Sequence, residues 1–353
     1  MASLLGRSRV TGTLAFCAAL LGTASVARAD VTVATVANPT PVSFFAGRLV
    51  WSEFDPARNG YVLMTQAGGT TSVVPVRPRG VPFDADLGPD EHGDTVAVYS
   101  RCGQEPAGRG IPQWRTGRGC DIFKFTFATG RETRISSANG ARSSEFLPSI
   151  WDTRITFARV YERRKGKAGQ RAHLYARAVL GAGSSRRLKP GPRGTGIICR
   201  YPPVGMPDCS DSVEVGPTAL DLRGRRLAFS WSVRGGFCDA TGTSVWLDSL
   251  GGGQRRVDRT CHSSLQGREM VAPTISGGGV YYVRSFTGGD LGVSGSVRHY
   301  GIRSHRRIEL FLVPGRVVVW SATDAGRTFY LLGSMPDPVL GNVGPGPINE
   351  RTP

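Results

Sequence analysis

The sequence lacks the short motifs that carry the commonest catalytic chemistries. It contains no Gly-x-Ser-x-Gly, His-Glu-x-x-His, Gly-x-x-x-x-Gly-Lys-Ser/Thr or Gly-x-Gly-x-x-Gly, and no EF-hand loop. These absences remove the usual signals for a serine nucleophile, a catalytic zinc, a phosphate-cradling loop, a dinucleotide and a calcium ion. The sequence therefore predicts no catalytic residue and no cofactor.

A metal site is not predicted either. There is no Cys-x-x-Cys, and histidine is scarce: the five are His92, His173, His262, His299 and His305. They share no spacing and no position within the repeat described below, whereas a structural zinc site needs closely spaced Cys and His ligands.

Lysine is also rare. Of the 44 basic residues only Lys124, Lys165, Lys167 and Lys189 are lysine, which leaves 40 arginines, and the formal charge is +17. The arginines are dispersed, except in the run Glu162–Arg171. We interpret the arginines as side chains exposed to solvent on the protein surface, and we do not expect a nucleic-acid partner. The alternative is that they form a binding surface for an anionic polymer.

The N-terminal segment has the features of an export signal. Arg7 and Arg9 precede an apolar stretch that contains Cys17, and Ala27-Arg28-Ala29 resembles a cleavage site before Asp30. We predict that residues 1–29 are a signal peptide, with a retained anchor as the alternative. No later segment approaches the length of a membrane span. We predict that the mature protein is a monomer that is secreted or held in the periplasm or cell envelope. Removal of residues 1–29, which contain three arginines, lowers its formal charge to +14.

After residue 29 the chain has an even number of cysteines, which favours disulfides in an exported protein. Pairing of sequence neighbours is the simplest arrangement, and it closes a short loop in each case. The predicted pairs are Cys102–Cys120, Cys199–Cys209 and Cys238–Cys261.

The chain repeats a short apolar strand. Helical stretches longer than two turns are absent, whereas 48 glycines and 23 prolines punctuate strand-like segments, which favours an all-β fold. The repeated strand occurs at Arg48–Phe54, Thr95–Arg101, Arg154–Val160, Arg226–Ser232, Gly279–Ser285 and Arg316–Ala322. A Pro-led strand precedes most copies, and an alternating strand, a Gly turn and a basic strand follow, as in Asp121–Ser136.

Six such units of four short antiparallel strands predict a six-bladed β-propeller over residues 30–335, because stacking in a closed ring buries the faces of each sheet. The sixth unit stops after Arg327–Gly333, so we expect the N-terminal strand Val31–Val36 to pair beside it and close the ring. Residues 336–353 are predicted to be a disordered Pro/Gly-rich tail. A pair of β-sandwiches and a seven-bladed ring are the alternatives.

The segment Gly88–Ser100, followed by Asp121–Ser136, resembles the TolB-type, WD40-like propeller repeat. Pro89-Asp90 and Gly93 match its turn, and Thr129-Gly130 matches its second turn. The resemblance extends over about Pro41 to Gly333, with a degenerate motif elsewhere. It implies the propeller fold; it does not carry over TolB's role in envelope complexes, because the N-terminal α/β domain of TolB has no counterpart here.

Two groups of side chains are candidate site residues. The first is a set of carboxylates before the repeated strands, which either initiate turns or meet at the propeller axis as in propeller glycosidases: Asp84, Asp86, Asp90, Glu91, Glu145, Asp152 and Asp221. The second is the loop between Cys102 and Cys120, which carries Trp114, Arg109, Arg115 and Arg118. Trp114 either contacts a partner or packs onto its own blade. The remaining aromatics fall in the strand register and are predicted core: Trp51, Phe157, Phe229, Tyr282 and Trp320.

The sequence favours a non-enzymatic exported propeller that binds a protein or a cell-envelope glycan through loops on one face. The enzymatic alternative is a carbohydrate hydrolase or lyase that uses axial carboxylates, and a third is electrostatic adhesion to an anionic polymer.

Overall fold

A computed structural model describes residues 30–106, 117–161, 173–179, 185–188, 216–234, 241–250, 252–261, 267–287, 293–333 and 346–352. This part of the chain forms 24 strands, which are arranged in six four-stranded antiparallel sheets. The predicted fold, an all-β six-bladed propeller, is confirmed.

Each sheet is one blade, and its strands follow the chain from the axis outward. Blade 1 comprises β2 (Val42–Phe45), β3 (Arg48–Asp55), β4 (Gly60–Ala67) and β5 (Thr70–Val73). Blade 2 comprises β6 (Asp86–Pro89), β7 (Thr95–Gln104), β8 (Arg118–Thr126) and β9 (Arg131–Arg134). Blade 3 comprises β10 (Ser143–Trp151), β11 (Arg154–Tyr161), β12 (His173–Ala178) and β13 (Arg186–Arg187).

The second half of the ring repeats this order, with one change at the end. Blade 4 comprises β14 (Gly216–Arg223), β15 (Arg226–Arg234), β16 (Thr241–Ser249) and β17 (Gly253–Cys261). Blade 5 comprises β18 (Gly267–Ser276), β19 (Gly279–Thr287), β20 (Val293–Gly301) and β21 (Arg307–Pro314). Blade 6 comprises β22 (Val317–Asp324), β23 (Arg327–Gly333), β24 (Gly346–Arg351) and, as its outermost strand, β1 (Val31–Val36).

The ring is closed by the N-terminal strand, as predicted, but through a different partner. β1 pairs with β24 rather than with β23, and β24 lies between them. The prediction of a disordered tail is therefore wrong for Gly346–Arg351, where Ile348 is fully buried. The sixth copy of the repeated strand, Arg316–Ala322, was expected to be the second strand of its blade, like the other five copies. It instead forms β22, the innermost strand, and β23 is the second. Both strands are apolar because both are buried, so composition alone did not separate them.

The antiparallel order gives the molecule two different faces. One face carries the connections from the first to the second strand and from the third to the fourth strand of each blade, and we call it the turn face. The longest such connection between described strands joins β12 to β13 and spans residues 179–185. The connections from second to third strand and from one blade to the next leave from the opposite face, which we call the loop face. They include 105–117, 162–172 and 188–215.

The turn face is built from tight hairpins. Ala46-Gly47 and Ala325-Gly326 both have positive φ at both positions, at 48° and 79° in the first pair and 47° and 80° in the second. This is the geometry of a type I′ turn, whose twist matches that of the flanking strands. The recurrence of Ala-Gly-Arg at these two turns shows that β2–β3 and β22–β23 are equivalent hairpins.

The core lies between neighbouring blades. Trp51, Phe157, Phe229 and Tyr282, predicted as core from their place in the repeat, are all buried. Trp320 is buried too, although it lies on the innermost strand of blade 6 and lines the axis. Successive blades share clusters of these side chains, as when Phe44 of blade 1 packs on Phe329 of blade 6 with ring centroids 4.4 Å apart.

Blades 2 and 3 approach each other closely at Gly88, which provides a test of the packing. A Cβ at Gly88 would lie 2.1 Å from the carbonyl oxygen of Ile150, which is backbone and not free to move aside. We expect Gly88→Ala to lower the free energy of unfolding by about 1–3 kcal/mol, as overpacking does. Denaturant unfolding measures this. Gly80→Ala is the control, because its Cβ would meet only Glu105 side-chain atoms at 3.9 Å; equal stability of the two variants would contradict the close approach.

Candidate functional site

The propeller axis holds a narrow cavity lined by residues of all six blades. Its walls come from the innermost strands and the segments just before them, and include Ser43, Asp84, Asp86, Pro148, Leu220, Thr274 and Trp320. The cavity has a volume of about 30 Å³, which is room for about two water molecules. A sugar or peptide substrate needs a pocket of roughly 300 Å³ or more, so the axis is closed to ligands of that size.

Side chains from the innermost strands join successive blades around this cavity. Ser43 Oγ accepts a hydrogen bond from Leu87 N at 3.0 Å, and Ser149 Oγ accepts one from Leu222 N at 2.7 Å. Asp221 accepts one from Ile275 N. In each pair the acceptor belongs to one blade and the donor to the next. The innermost strands present unpaired N–H groups toward the axis, and these acceptors satisfy them.

Asp86 and Asp324 extend the same arrangement. Asp86 accepts hydrogen bonds from Ser43 Oγ at 2.8 Å and Ser149 Oγ at 2.6 Å, and so joins blades 1, 2 and 3. Asp324 accepts one from Ala46 N at 3.0 Å and pairs at 2.7 Å with Arg223, which reaches it from blade 4. The Arg223 guanidinium also lies over Trp151, 5.2 Å from the ring centroid.

Asp84 is the most completely bonded of the axial acids. Its carboxylate accepts from Ser100 N at 2.8 Å, Ser100 Oγ at 2.7 Å and Leu147 N at 2.7 Å, and it pairs with Arg79 at 3.2 Å. Both charged side chains are 1% exposed or less. Leu147 lies before a proline at a φ of 50°, a strained conformation for such a residue, and the bond to Asp84 holds it in place.

Burial changes the titration of two of these acids. Desolvation raises the pKa of Asp86 to about 6, although hydrogen bonds from Ser149 and Ser43 oppose the shift. Desolvation, together with the nearby charge of Asp86, raises the pKa of Asp221 to about 7, against the opposing charge of Arg223. Perturbed pKa values cluster at functional sites but also occur in structural networks; here the carboxylate oxygens bond to neighbouring blades.

These shifts give the protein a pH dependence of stability. A carboxyl whose folded pKa is raised binds protons more readily when folded, so its contribution to the free energy of unfolding is full below its unfolded pKa of 3.8 and falls as the pH rises through 6 and 7. We expect wild type to be more stable near pH 5 than near pH 7.5 and Asp221→Asn to lose most of this difference. Urea midpoints at both pH values measure it. A midpoint that rises with pH over this interval, or an unchanged difference in the variant, would contradict the assignment.

The predicted carboxylates have different places and roles. Asp90 initiates a turn, as expected: its Oδ1 accepts from His92 N at 3.0 Å and Asp94 N at 3.1 Å. Asp152 also lies in a turn, with a φ of 55°. Glu91 and Asp90 pair with Lys124, and Glu145 pairs with Arg159 at 2.7 Å.

Asp84, Asp86 and Asp221 meet around the axis rather than in turns. Asp324, which the sequence did not indicate as a site residue, belongs with them. The only signal for it was the shared Ala-Gly-Arg after β2 and after β22, which places Asp324 and Phe45 at equivalent ends of innermost strands.

The loop face is reinforced next to the predicted binding loop. Cys102 and Cys120 lie opposite each other in the β7–β8 ladder and form a disulfide, as predicted. Arg79 makes a two-pronged contact with Glu105, 3.2 Å from Nε to Oε1 and 2.7 Å from Nη2 to Oε2. These bonds hold the strand ends from which residues 107–116 leave.

Arg118 is exposed at the start of β8, whereas Arg109, Trp114 and Arg115 lie outside the described residues. So do Cys199, Cys209 and Cys238, and only the backbone of Cys261 is described. Their two pairings therefore stay predictions.

The four described histidines belong to three blades. His92 lies in a turn of blade 2, His173 on β12, His299 on β20 and His305 in the turn after it. Within the described ranges no group of three His, Cys, Asp or Glu side chains is placed to hold a metal ion. The same ranges contain no helix long and apolar enough to cross a membrane.

Several solved propeller structures are similar to this chain. The sequence matches no protein-family model and none of the curated proteins searched. Among solved structures it resembles TolB from Acinetobacter baumannii, at 15% identity and a TM-score of 0.46. The match covers 87% of this chain but only 65% of TolB, so this chain spans less than two thirds of that protein. It also resembles the β-propeller domain of the Trilobed protease from Pyrococcus furiosus, at 10% identity and a TM-score of 0.44. That match covers 84% of this chain and 78% of the protease domain.

A third similar structure is an α-L-arabinanase from Penicillium chrysogenum in complex with arabinobiose, at 10% identity and a TM-score of 0.46 over 92% of this chain and 98% of that one. At such identities the likeness concerns the fold and not the activity. The chain is a six-bladed β-propeller similar in fold to TolB and to other propeller domains, as its repeat predicted.

Proposed function

We propose that this protein is an exported, non-enzymatic propeller that binds a protein partner through its loop face. The observation that carries the proposal is the asymmetry between the faces. On one face the connections between the described strands span at most seven residues, and the other carries the long connections, one of which is tied at its base by the Cys102–Cys120 disulfide. Binding residues concentrate on loops that a rigid scaffold positions.

The geometry of the axis supports binding over catalysis. The axial cavity has a volume of about 30 Å³, and the acids around it accept hydrogen bonds from the next blade, as Asp84 does from Leu147 N. A protein partner needs no deep pocket, because specific protein interfaces are broad surfaces of roughly 800 Å² on each side.

The composition of the 105–117 loop and its flank fits such an interface. Trp and Arg are the residues most enriched at binding hot spots, and Trp114, Arg115 and Arg118 stand close together in the sequence. The Cys102–Cys120 bond is consistent with a periplasmic or extracellular location, which agrees with the signal peptide predicted for residues 1–29.

The enzymatic alternative rests on one specific observation. Asp86 and Asp221 have pKa values raised to about 6 and about 7, which is where a glycosidase holds its general acid. Their hydrogen-bonding to neighbouring blades favours a structural role. A hydrolase or lyase would require substrate to reach the axis.

The test compares two variants that remove the same charge. Trp114→Ala/Arg115→Gln/Arg118→Gln alters the loop face, and Arg131→Gln/Arg303→Gln alters exposed arginines of the turn face. Residues 30–353 of each protein are used to capture cell-envelope proteins with cross-linking, and the captured protein is then titrated against both variants. We expect the loop variant to lose at least about thirtyfold in affinity, as hot-spot removal does, and the turn-face variant to bind as wild type does.

Three results would contradict the proposal. These are equal binding by both variants, binding only to envelope glycans on an array, and turnover of a polysaccharide that Asp221→Asn abolishes. The last would establish the enzymatic alternative.

A further inference from the structure

A cleft on the turn face, between blades 3 and 4, is lined by four arginines. Arg154 and Arg225 come from the first hairpin turns of the two blades, and Arg177 and Arg186 come from the outer strands of blade 3. The cleft has a volume of about 390 Å³, within the range of pockets that take small organic ligands.

We propose that this cleft binds a compact organic molecule that carries at least two oxyanion groups, such as phosphates or sulfates. The chemistry of the lining points to this class. The described residues that form the cleft include four guanidinium groups and no carboxylate. Asp152 and Asp248 belong to neighbouring turns and strands but do not line it.

The cleft arginines differ in exposure from the arginines that join the blades. Most arginines of the described chain that have a buried or half-buried guanidinium pair with an acid, and the pairs include Arg79–Glu105, Arg101–Glu132, Arg159–Glu145, Arg223–Asp324, Arg327–Glu350 and Arg351–Asp30. Arg154, Arg186 and Arg225 are exposed, and neither Arg154 nor Arg186 has an ion pair within the described residues. Charges of one sign in a cleft with low-dielectric walls focus their field and concentrate counter-ions.

The local structure directs the cationic groups and supplies an apolar floor. Arg225 donates from Nη2 to the carbonyl oxygen of Leu250 at 3.2 Å, which holds its guanidinium along one wall, and its other N–H groups remain to be used. Leu188, which is buried, and Leu250 also line the cleft.

This combination selects a particular ligand. Arginine binds phosphate and sulfate through two parallel N–H···O bonds, so the exposed guanidinium groups of Arg154, Arg186 and Arg225 offer more donors than one oxyanion uses. The apolar side chains suit the carbon skeleton between them. The cleft lies on the opposite face from the loops, so this site is independent of the proposed protein interface.

The test uses fructose 1,6-bisphosphate as the probe, with fructose and inorganic phosphate as comparison ligands, in calorimetric titrations of residues 30–353. We expect the bisphosphate to bind more tightly than phosphate, fructose not to bind, and added salt to weaken binding. Arg154→Gln/Arg225→Gln is expected to raise the Kd by about a hundredfold, at roughly tenfold for each charged hydrogen-bond donor removed. Arg186→Gln alone should raise it about tenfold by the same reasoning.

Arg131→Gln/Arg303→Gln is the control, because it removes two exposed turn-face arginines outside the cleft and should leave the Kd unchanged. Thermal unfolding of every variant separates loss of the site from loss of the fold. Failure of the wild type to bind the bisphosphate would overturn the proposal. So would an equal loss in the control variant, or binding to a long polyanion such as heparin that all variants share, since both would indicate diffuse electrostatic adhesion.

Discussion

Asp84→Ala is expected to lower the free energy of unfolding by about 3–5 kcal/mol, the cost of breaking a buried charge pair by removing one partner. The substitution leaves Arg79 with a side chain only 1% exposed and without its buried counter-charge. It also removes the acceptor for Ser100 N, Ser100 Oγ and Leu147 N. Each buried donor without an acceptor adds to the loss.

Denaturant unfolding at neutral pH measures this effect, and Asp121→Ala is the matched control. Asp121 also pairs with an arginine, Arg134, at 2.8 Å, but this pair is exposed, so its removal should cost at most about 1 kcal/mol. The double variant Arg79→Met/Asp84→Ala should recover part of the lost stability, because it also removes a buried guanidinium that would keep only the partly exposed Glu105 as its counter-charge. Equal effects of Asp84→Ala and Asp121→Ala would show that the Asp84 network does not join blades 2 and 3.

Deletion of residues 346–353 is expected to open the ring. β24 pairs with β23 on one side and β1 on the other, so its loss leaves β1 without a partner. The deletion also removes Ile348 from a core cluster that contains Val36, Phe329 and Leu331. The destabilisation should therefore exceed the roughly 2–5 kcal/mol of truncating one buried isoleucine.

Hydrogen exchange is the appropriate measurement, since it reports each strand separately. We expect Val31–Val36 to lose protection in the truncated protein and the hairpins of blades 2 and 3 to keep more of theirs. Deletion of Pro353 alone, outside the β24 ladder, is the control. The full-length variant Ile348→Asp should reproduce the loss of protection in β1. A truncated protein as stable as wild type would support the disordered tail that the sequence indicated.

Local pattern was enough to determine the blades. The alternation of apolar and polar residues defines which side chains of a strand face a neighbouring sheet, and it correctly predicted the burial of Trp51, Phe157, Phe229 and Tyr282. Cys102 and Cys120 could be paired from the sequence because they flank one connection between adjacent strands. Asp90 could be assigned to a turn because Asp bonds to backbone N–H groups two to four residues ahead.

The ends of the ring could not be read in the same way. β24 has the sequence Gly-Pro-Ile-Asn-Glu-Arg, which contains one large apolar residue and no alternation. It is a strand because β1 and β23 lie on either side of it, and a Cβ at Gly346 would lie 1.6 Å from the Leu332 carbonyl oxygen, so only glycine fits. The pairing of residue 31 with residue 350 is a property of ring closure, which no local pattern contains.

The sequence by itself thus determined the repeat, the number of blades and the disulfide at the base of one loop, because each depends on residues that are near neighbours along the chain. Only the tertiary structure decided what the charged residues do. Arg223 and Asp324 meet across the axis although 101 residues separate them, and Arg154 and Arg225 come to line one cleft because blades 3 and 4 stack. Side chains so distant in sequence are brought together by the geometry of the closed ring, which is set by the packing of all six sheets at once.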